Sequence, residues 1–118
     1  MQQVRELIFY KHYFKTFFEN QTKATKEKID YVLFVLTHAD RVPEKFFKHL
    51  EGTKGLYEIR VESGKNIFRI FCCFDKGRII VIFNGFQKKS QKTPVQEIDM
   101  ALGIMKEYFE KKTRDEKG

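Results

Sequence analysis

The stretch LYEIRVE–SGK–NIFRIFCCF–DKG–RIIVIFNGF–QKKSQKTPVQ, Leu56 to Gln96, decides the fold. Its first three apolar runs are rich in Ile, Val, Phe and Tyr, the residues that suit a pleated, half-buried surface. Ser63-Gly64-Lys65 and Asp75-Lys76-Gly77 interrupt them, each with the glycine a tight turn needs. Three strands on two hairpins predict an antiparallel meander. The stretch is also where the charge lies. From Ser63 to Gln96 there are seven Lys or Arg (Lys65, Arg69, Lys76, Arg78, Lys88, Lys89, Lys92) against Asp75, a net +6 of the chain's +7. A field of one sign on one sheet and the loop leaving it suits a polyanion, with nucleic-acid phosphate the usual candidate. For any single lysine a solvated surface is the plainer reading.

Outward from the meander, the N-terminal side reads as a strand over Val4–Phe9 and then a helix face at Tyr10, Phe14, Phe17 and Phe18. Asn20–Lys23 breaks it. A second helix follows, capped by Thr25, with Ile29, Val32, Leu33 and Leu36 as its apolar stripe. Pro43 opens a single turn that sends Phe46, Phe47 and Leu50 inward, and Glu51–Gly55 is a loop. On the C-terminal side Thr93 is the expected N-cap, Pro94 the first helical residue and Gln96 the partner of a capping box. Ile98, Ala101, Leu102, Met105 and Phe109 trace that helix's apolar face. The expected order is β-α-α-β-β-β-α, a two-layer α+β domain over residues 1–112 with the helices packed on one face of the sheet. The other face is left for a partner, and residues 113–118 form a frayed charged tail.

The totals set bounds. One domain with 42% hydrophobic residues and 13 Phe in 118 residues can build a core. No apolar run is long enough to span a bilayer, and the N-terminus lacks a signal-peptide pattern. Cys72 and Cys73 are neighbours in one strand and point to opposite faces, so a reduced, cytoplasmic protein is the expectation. His12, His38 and His49 show no metal-ligand spacing, and neither a metal nor a cofactor is implied.

Within the meander, Arg69 stands among apolar neighbours in the middle strand. Such an arginine is costly unless paired or turned to a ligand. Glu58 or Glu62 across the first hairpin could pair with it, and its planar fork could equally grip a phosphate. RNA cleavage by 2′-OH attack needs a base, cations on the phosphorane and a proton donor to the leaving oxygen. Glu58 as base, Arg69 and Arg60 as cations and Lys88 or Lys89 as donor or further cation meet that list without a metal. Lys54, Tyr57, Lys89 and Lys92 are the candidate RNA contacts, although the alternation puts Tyr57 on the side of Ile59 and makes it a core candidate as well.

These residues carry a resemblance. Leu56–Arg60, Phe68-Arg69-Ile70 and Gly85-Phe86-Gln87-Lys88-Lys89-Ser90-Gln91-Lys92-Thr93-Pro94, with Glu97-Ile98 and Ala101, resemble the phage-derived HigB-type subgroup of the RelE/ParE toxin superfamily over nearly the whole chain. The resemblance implies a type II toxin that cleaves mRNA in the ribosomal A site. It also implies a helix-turn-helix antitoxin as partner. By position, Arg69 matches the superfamily's arginine at the scissile phosphate, Arg60 matches a basic position on the preceding strand, and Lys88 lies near a basic position after the last strand. Glu58 falls where RelE has a lysine, and Tyr108 is the candidate for the aromatic residue many members carry near the C-terminus. Two other readings share the fold: a ParE-like toxin that poisons gyrase without cleaving RNA, and a decayed toxin that keeps only antitoxin binding.

Overall fold

The computed structural model describes residues 2–90 and 93–117. Its elements are β1 (Glu6–Phe9), α1 (Tyr13–Glu19), α2 (Lys23–His38), β2 (Phe47–His49), β3 (Tyr57–Ser63), β4 (Asn66–Asp75), β5 (Ile79–Lys88) and α3 (Val95–Lys117). The predicted meander is present: β3, β4 and β5 pair antiparallel. Gly64 takes φ +60° as the first residue of the two-residue Gly64-Lys65 loop, the position at which a II′ hairpin needs glycine. Two strands flank the meander. β1 joins β5 in parallel and β2 joins β3 antiparallel, giving the mixed order β1-β5-β4-β3-β2.

The α+β class stands, with several changes of detail. Pro43 does open a turn, its carbonyl accepting from the Phe46 amide at 2.9 Å, but the chain then runs on as β2. Three residues are too few to show a period, so that strand left no pattern to read. Tyr10 is not part of the first helix; its amide donates to the Ile82 carbonyl and extends the β1–β5 pairing before Lys11, at φ +55°, turns the chain. Thr22, rather than Thr25, caps α2 by accepting from the Thr25 amide, and Thr25 is buried with its hydroxyl on Ser63 Oγ. α3 starts one residue later than expected, the Pro94 carbonyl accepting from Glu97 and Ile98. It continues as helix to Lys117, where a frayed tail was expected.

The helices do not share one face. Strand alternation sorts the core into two clusters. Ile59, Val61, Phe68, Ile70, Cys72, Ile80 and Ile82 pack under α2 with Phe14, Phe17 and Phe18 of α1. Phe71, Cys73, Val81 and Phe83 face the other way, under Ala101 and Ile104 of α3. The apolar stripe of α3 has to be buried, and the first face is already filled by α1 and α2. A β-bulge between Ile70 and Cys72 sets two β5 residues, Phe83 and Asn84, against Phe71. Just beyond it the ring of Phe17 lies on Gly85: a Cβ there would come within 2.7 Å of the ring, so α1 sits this close because Gly85 has no side chain.

Candidate nucleic-acid interface

α3 covers only one end of its face of the sheet. At the other end the outward residues of four strands converge. Register sets Lys48 of β2 opposite Glu58 of β3, and Arg60 opposite Arg69 of β4, which in turn faces Phe86 of β5. Lys88 follows two residues after Phe86 and therefore projects to the same side. Phe86 stacks on the fully buried Phe71, with ring centroids 5.5 Å apart, and this apolar wall stands beside Arg69.

Four cations thus gather near the buried carboxylate of Glu58, with Glu62 and Glu44 at the margins. Glu58 and Arg69 are both buried, at 2% and 6% exposure, with Arg69 Nε 3.0 Å from Glu58 Oε2. Lys48 Nζ lies 3.9 Å from Glu58 Oε1, and Arg60 pairs with Glu62 at 2.6 Å. Burial lowers the pKa of Arg69, and Arg60 adds to the effect, while Glu58 and Glu62 oppose it. Burial likewise pulls the Lys88 ammonium below the ordinary lysine value, and the charges of Arg69, Arg60 and Lys48 act in the same direction against Glu58. The 3.0 Å contact is a charge contact without hydrogen-bond alignment. Arg69 Nε, Arg60 Nε and Glu58 Oε2 are all buried and have no aligned protein partner among the described residues. The side chains that carry them line an open cleft of about 270 Å³, together with Glu44, Lys45, Phe47 and Lys48.

Of the residues singled out from sequence, Arg60, Arg69, Glu58 and Lys88 come together here. Lys89 is exposed one residue past β5, and Lys54 is exposed in the loop before β3. Lys92 lies outside the described residues. Tyr57 is on the opposite side of β3, stacked on Phe47 with centroids 4.9 Å apart and edge-on to Phe74. Tyr57 therefore serves the core under α2. Tyr108 is also elsewhere. Its hydroxyl donates to Asp75 Oδ2 at 2.6 Å, six residues along β4 from Arg69, which is roughly 20 Å of strand. Sequence reading missed Lys48, because the strand that aims it was itself illegible. Among the described residues no cluster of His, Cys, Asp and Glu could hold a metal ion, and no helix is long and apolar enough to cross a membrane.

The chain is thus a small α+β domain with a basic cleft on the open end of its sheet. The chain belongs to the phage-derived protein Gp49-like family (DUF891), whose model matches residues 16–106, from within α1 to within α3, a family associated with RelE-like toxins. No curated protein matches the chain closely enough to count as a relative.

Proposed function

We propose that this protein is the toxin of a type II toxin–antitoxin pair, of the HigB type, and that it is an endoribonuclease acting on ribosome-bound mRNA in the cytoplasm. In this reading a helix-turn-helix antitoxin neutralises it. The observation that carries the reading is the set of buried, unaligned donors on Arg69 and Arg60 beside an open cleft. Buried polar groups are normally satisfied, and a phosphate oxygen would satisfy these. Glu58, the buried carboxylate of the cluster, takes the 2′-OH proton. The 2′ oxygen then bonds to phosphorus, and charge developing on the phosphorane is met by Arg69 and Arg60. The 5′ oxygen leaves with a proton from Lys88, whose lowered pKa makes it a better donor than an ordinary lysine. Lys48 adds a further positive charge at the rim. The ribosome supplies substrate positioning, which the open cleft lacks.

Induced expression in bacteria tests this directly. Growth arrest with mRNA shortened within minutes is the expected result, together with loss of both effects in Arg69→Ala. Arrest with intact mRNA and trapped gyrase–DNA complexes would overturn it in favour of the ParE-like reading. Full-length mRNA and normal growth would leave antitoxin binding as the surviving function.

A further inference from the structure

A second groove adjoins the cleft at Arg60. β2 stops pairing at the level of Ile59, and past the Arg60 amide, which donates to the Phe46 carbonyl, the outer side of β3 has no neighbouring strand. The second groove, of about 360 Å³, lies over this free edge, between α2 and the segment before β2. It is lined by Lys28, Tyr31, Val32, Lys45, Phe46, Arg60, Glu62 and Gly64. Arg60 and Lys45 line both grooves, so the two adjoin at these side chains. Tyr31 is 57% exposed on α2. Phe46 is half-buried, with the Lys45 ammonium 4.9 Å from its ring centroid.

We infer that this groove is a nucleobase subsite of a single-stranded RNA. A base next to the phosphate held at Arg69 and Arg60 would pass round the edge of β3 and pack against Tyr31 and Phe46. The inference deepens the proposed function and rests on it. Three observations fit this occupant. The groove is large enough for a small ligand, at the lower end of the roughly 300–1,000 Å³ usual for such sites. It offers two aromatic surfaces beside three cations, Lys28, Lys45 and Arg60, against the single carboxylate Glu62, the combination that single strands use: stacking surfaces along a positive track. It also shares Arg60 with the phosphate cleft, and Arg60 Nε is buried without an aligned partner. A base here would be read by its face and by the polar groups of Arg60 and Glu62, so the groove would set which nucleotide is preferred beside the scissile bond.

The test uses the full chain and two fluorescent oligoribonucleotides of four residues, 2′-O-methylated so that they survive. One is intact and the other carries one abasic position, moved along the strand. Tyr31→Ala, an exposed substitution, is expected to weaken the intact oligonucleotide about tenfold or more, with little effect on the abasic one whose gap falls in the groove. Tyr31→Phe should restore binding, and Phe46→Leu, which keeps an apolar side chain in the core, should give a similar loss. Equal affinity of wild type and both Tyr31→Ala and Phe46→Leu for the intact oligonucleotide, with Arg69→Ala weakened, would overturn the subsite and leave the phosphate cleft standing. Loss of the antitoxin complex in Tyr31→Ala with unchanged RNA binding would make the groove a protein-docking site and also overturn it. If the wild type binds neither oligonucleotide, free or with programmed ribosomes, the subsite is overturned, while the proposed function is judged separately by mRNA shortening on induced expression.

Discussion

Arg69 and Glu58 hold each other in place, and that sets how their variants behave. Removing Arg69 leaves the buried Glu58 to the more distant Lys48 ammonium, 3.9 Å away, and breaking such a buried pair costs up to about 3–5 kcal/mol. Arg69→Ala is therefore expected to be less stable as well as inactive. Thermal melting alone does not separate a structural arginine from one that serves the phosphate. The double variant Glu58→Gln/Arg69→Ala does: it should recover much of the stability and none of the cleavage. Cleavage by the folded double variant at wild-type rate would remove both residues from the chemistry. Arg69→Lys should regain little, because an ammonium cannot reproduce the guanidinium fork. If Lys88 is the proton donor, it gives a pH signature. It would donate only while protonated, and its pKa is lowered, so activity should fall as pH rises through a value below that of ordinary lysine. Lys88→Arg keeps the charge but is not deprotonated in proteins. It should cut the rate by about 10²–10⁴ and abolish the alkaline fall. An unchanged pH–rate profile would show that the leaving oxygen is protonated from elsewhere.

At the scale of elements, two contacts fix the helices on the sheet. α3 is clasped to the far end of β4, where the Tyr108 hydroxyl and Lys112 Nζ both donate to Asp75, at 2.6 Å and at 2.7 and 2.8 Å. Burial raises the Asp75 pKa, but the bonds from Lys112 and Tyr108 outweigh it, and the net shift is downward. The carboxylate's stabilisation is thus fully present above its unfolded pKa, about 3.9, and is lost as pH falls through the lower folded value. Asp75→Asn should flatten the acid limb of a stability–pH curve, measured by urea unfolding. Tyr108→Phe should cost about 1.5–3 kcal/mol, as expected for a hydrogen bond to a charged group, with RNA cleavage unchanged. A Tyr108→Phe protein of normal stability and reduced cleavage would return this tyrosine to the chemistry. At the other helix layer, Gly85→Ala must push against the Phe17 ring, which also packs edge-on to Phe68. A loss of about 1–3 kcal/mol is expected, as for other overpacked sites, with partial rescue by Phe17→Leu. A neutral Gly85→Ala would mean that α1 shifts without cost.

For the whole molecule the decisive quantity is where the charge sits. Nearly all the net +7 falls between Ser63 and Gln96. If that segment tracks an RNA strand, replacing Lys88, Lys89 and Lys92 by Ala should lower the slope of log affinity against log salt by about 0.7 per lost contact, or about two units together. An unchanged slope would assign these lysines to solubility alone. The meander, its two glycine turns and the α2 stripe could be read from the sequence, because a period of two or of 3.6 and a turn glycine are local properties. Arg69 was legible for the same reason, as one charge in an apolar strand. Other features depended on distant residues meeting. β2 is too short to carry a period and exists because β3 has an edge to pair. α3 had to take the second face because α1 and α2 fill the first. Tyr57 and Tyr108, plausible beside RNA in one dimension, are held in the core and at Asp75. Lys48, and the groove joining Tyr31 to Arg60, came only from pairing register and packing. Local pattern was enough for the class of fold, the charged stretch and the central arginine; which side chains surround that arginine emerged from the folded sheet, since proximity between strands is set by register and not by order along the chain.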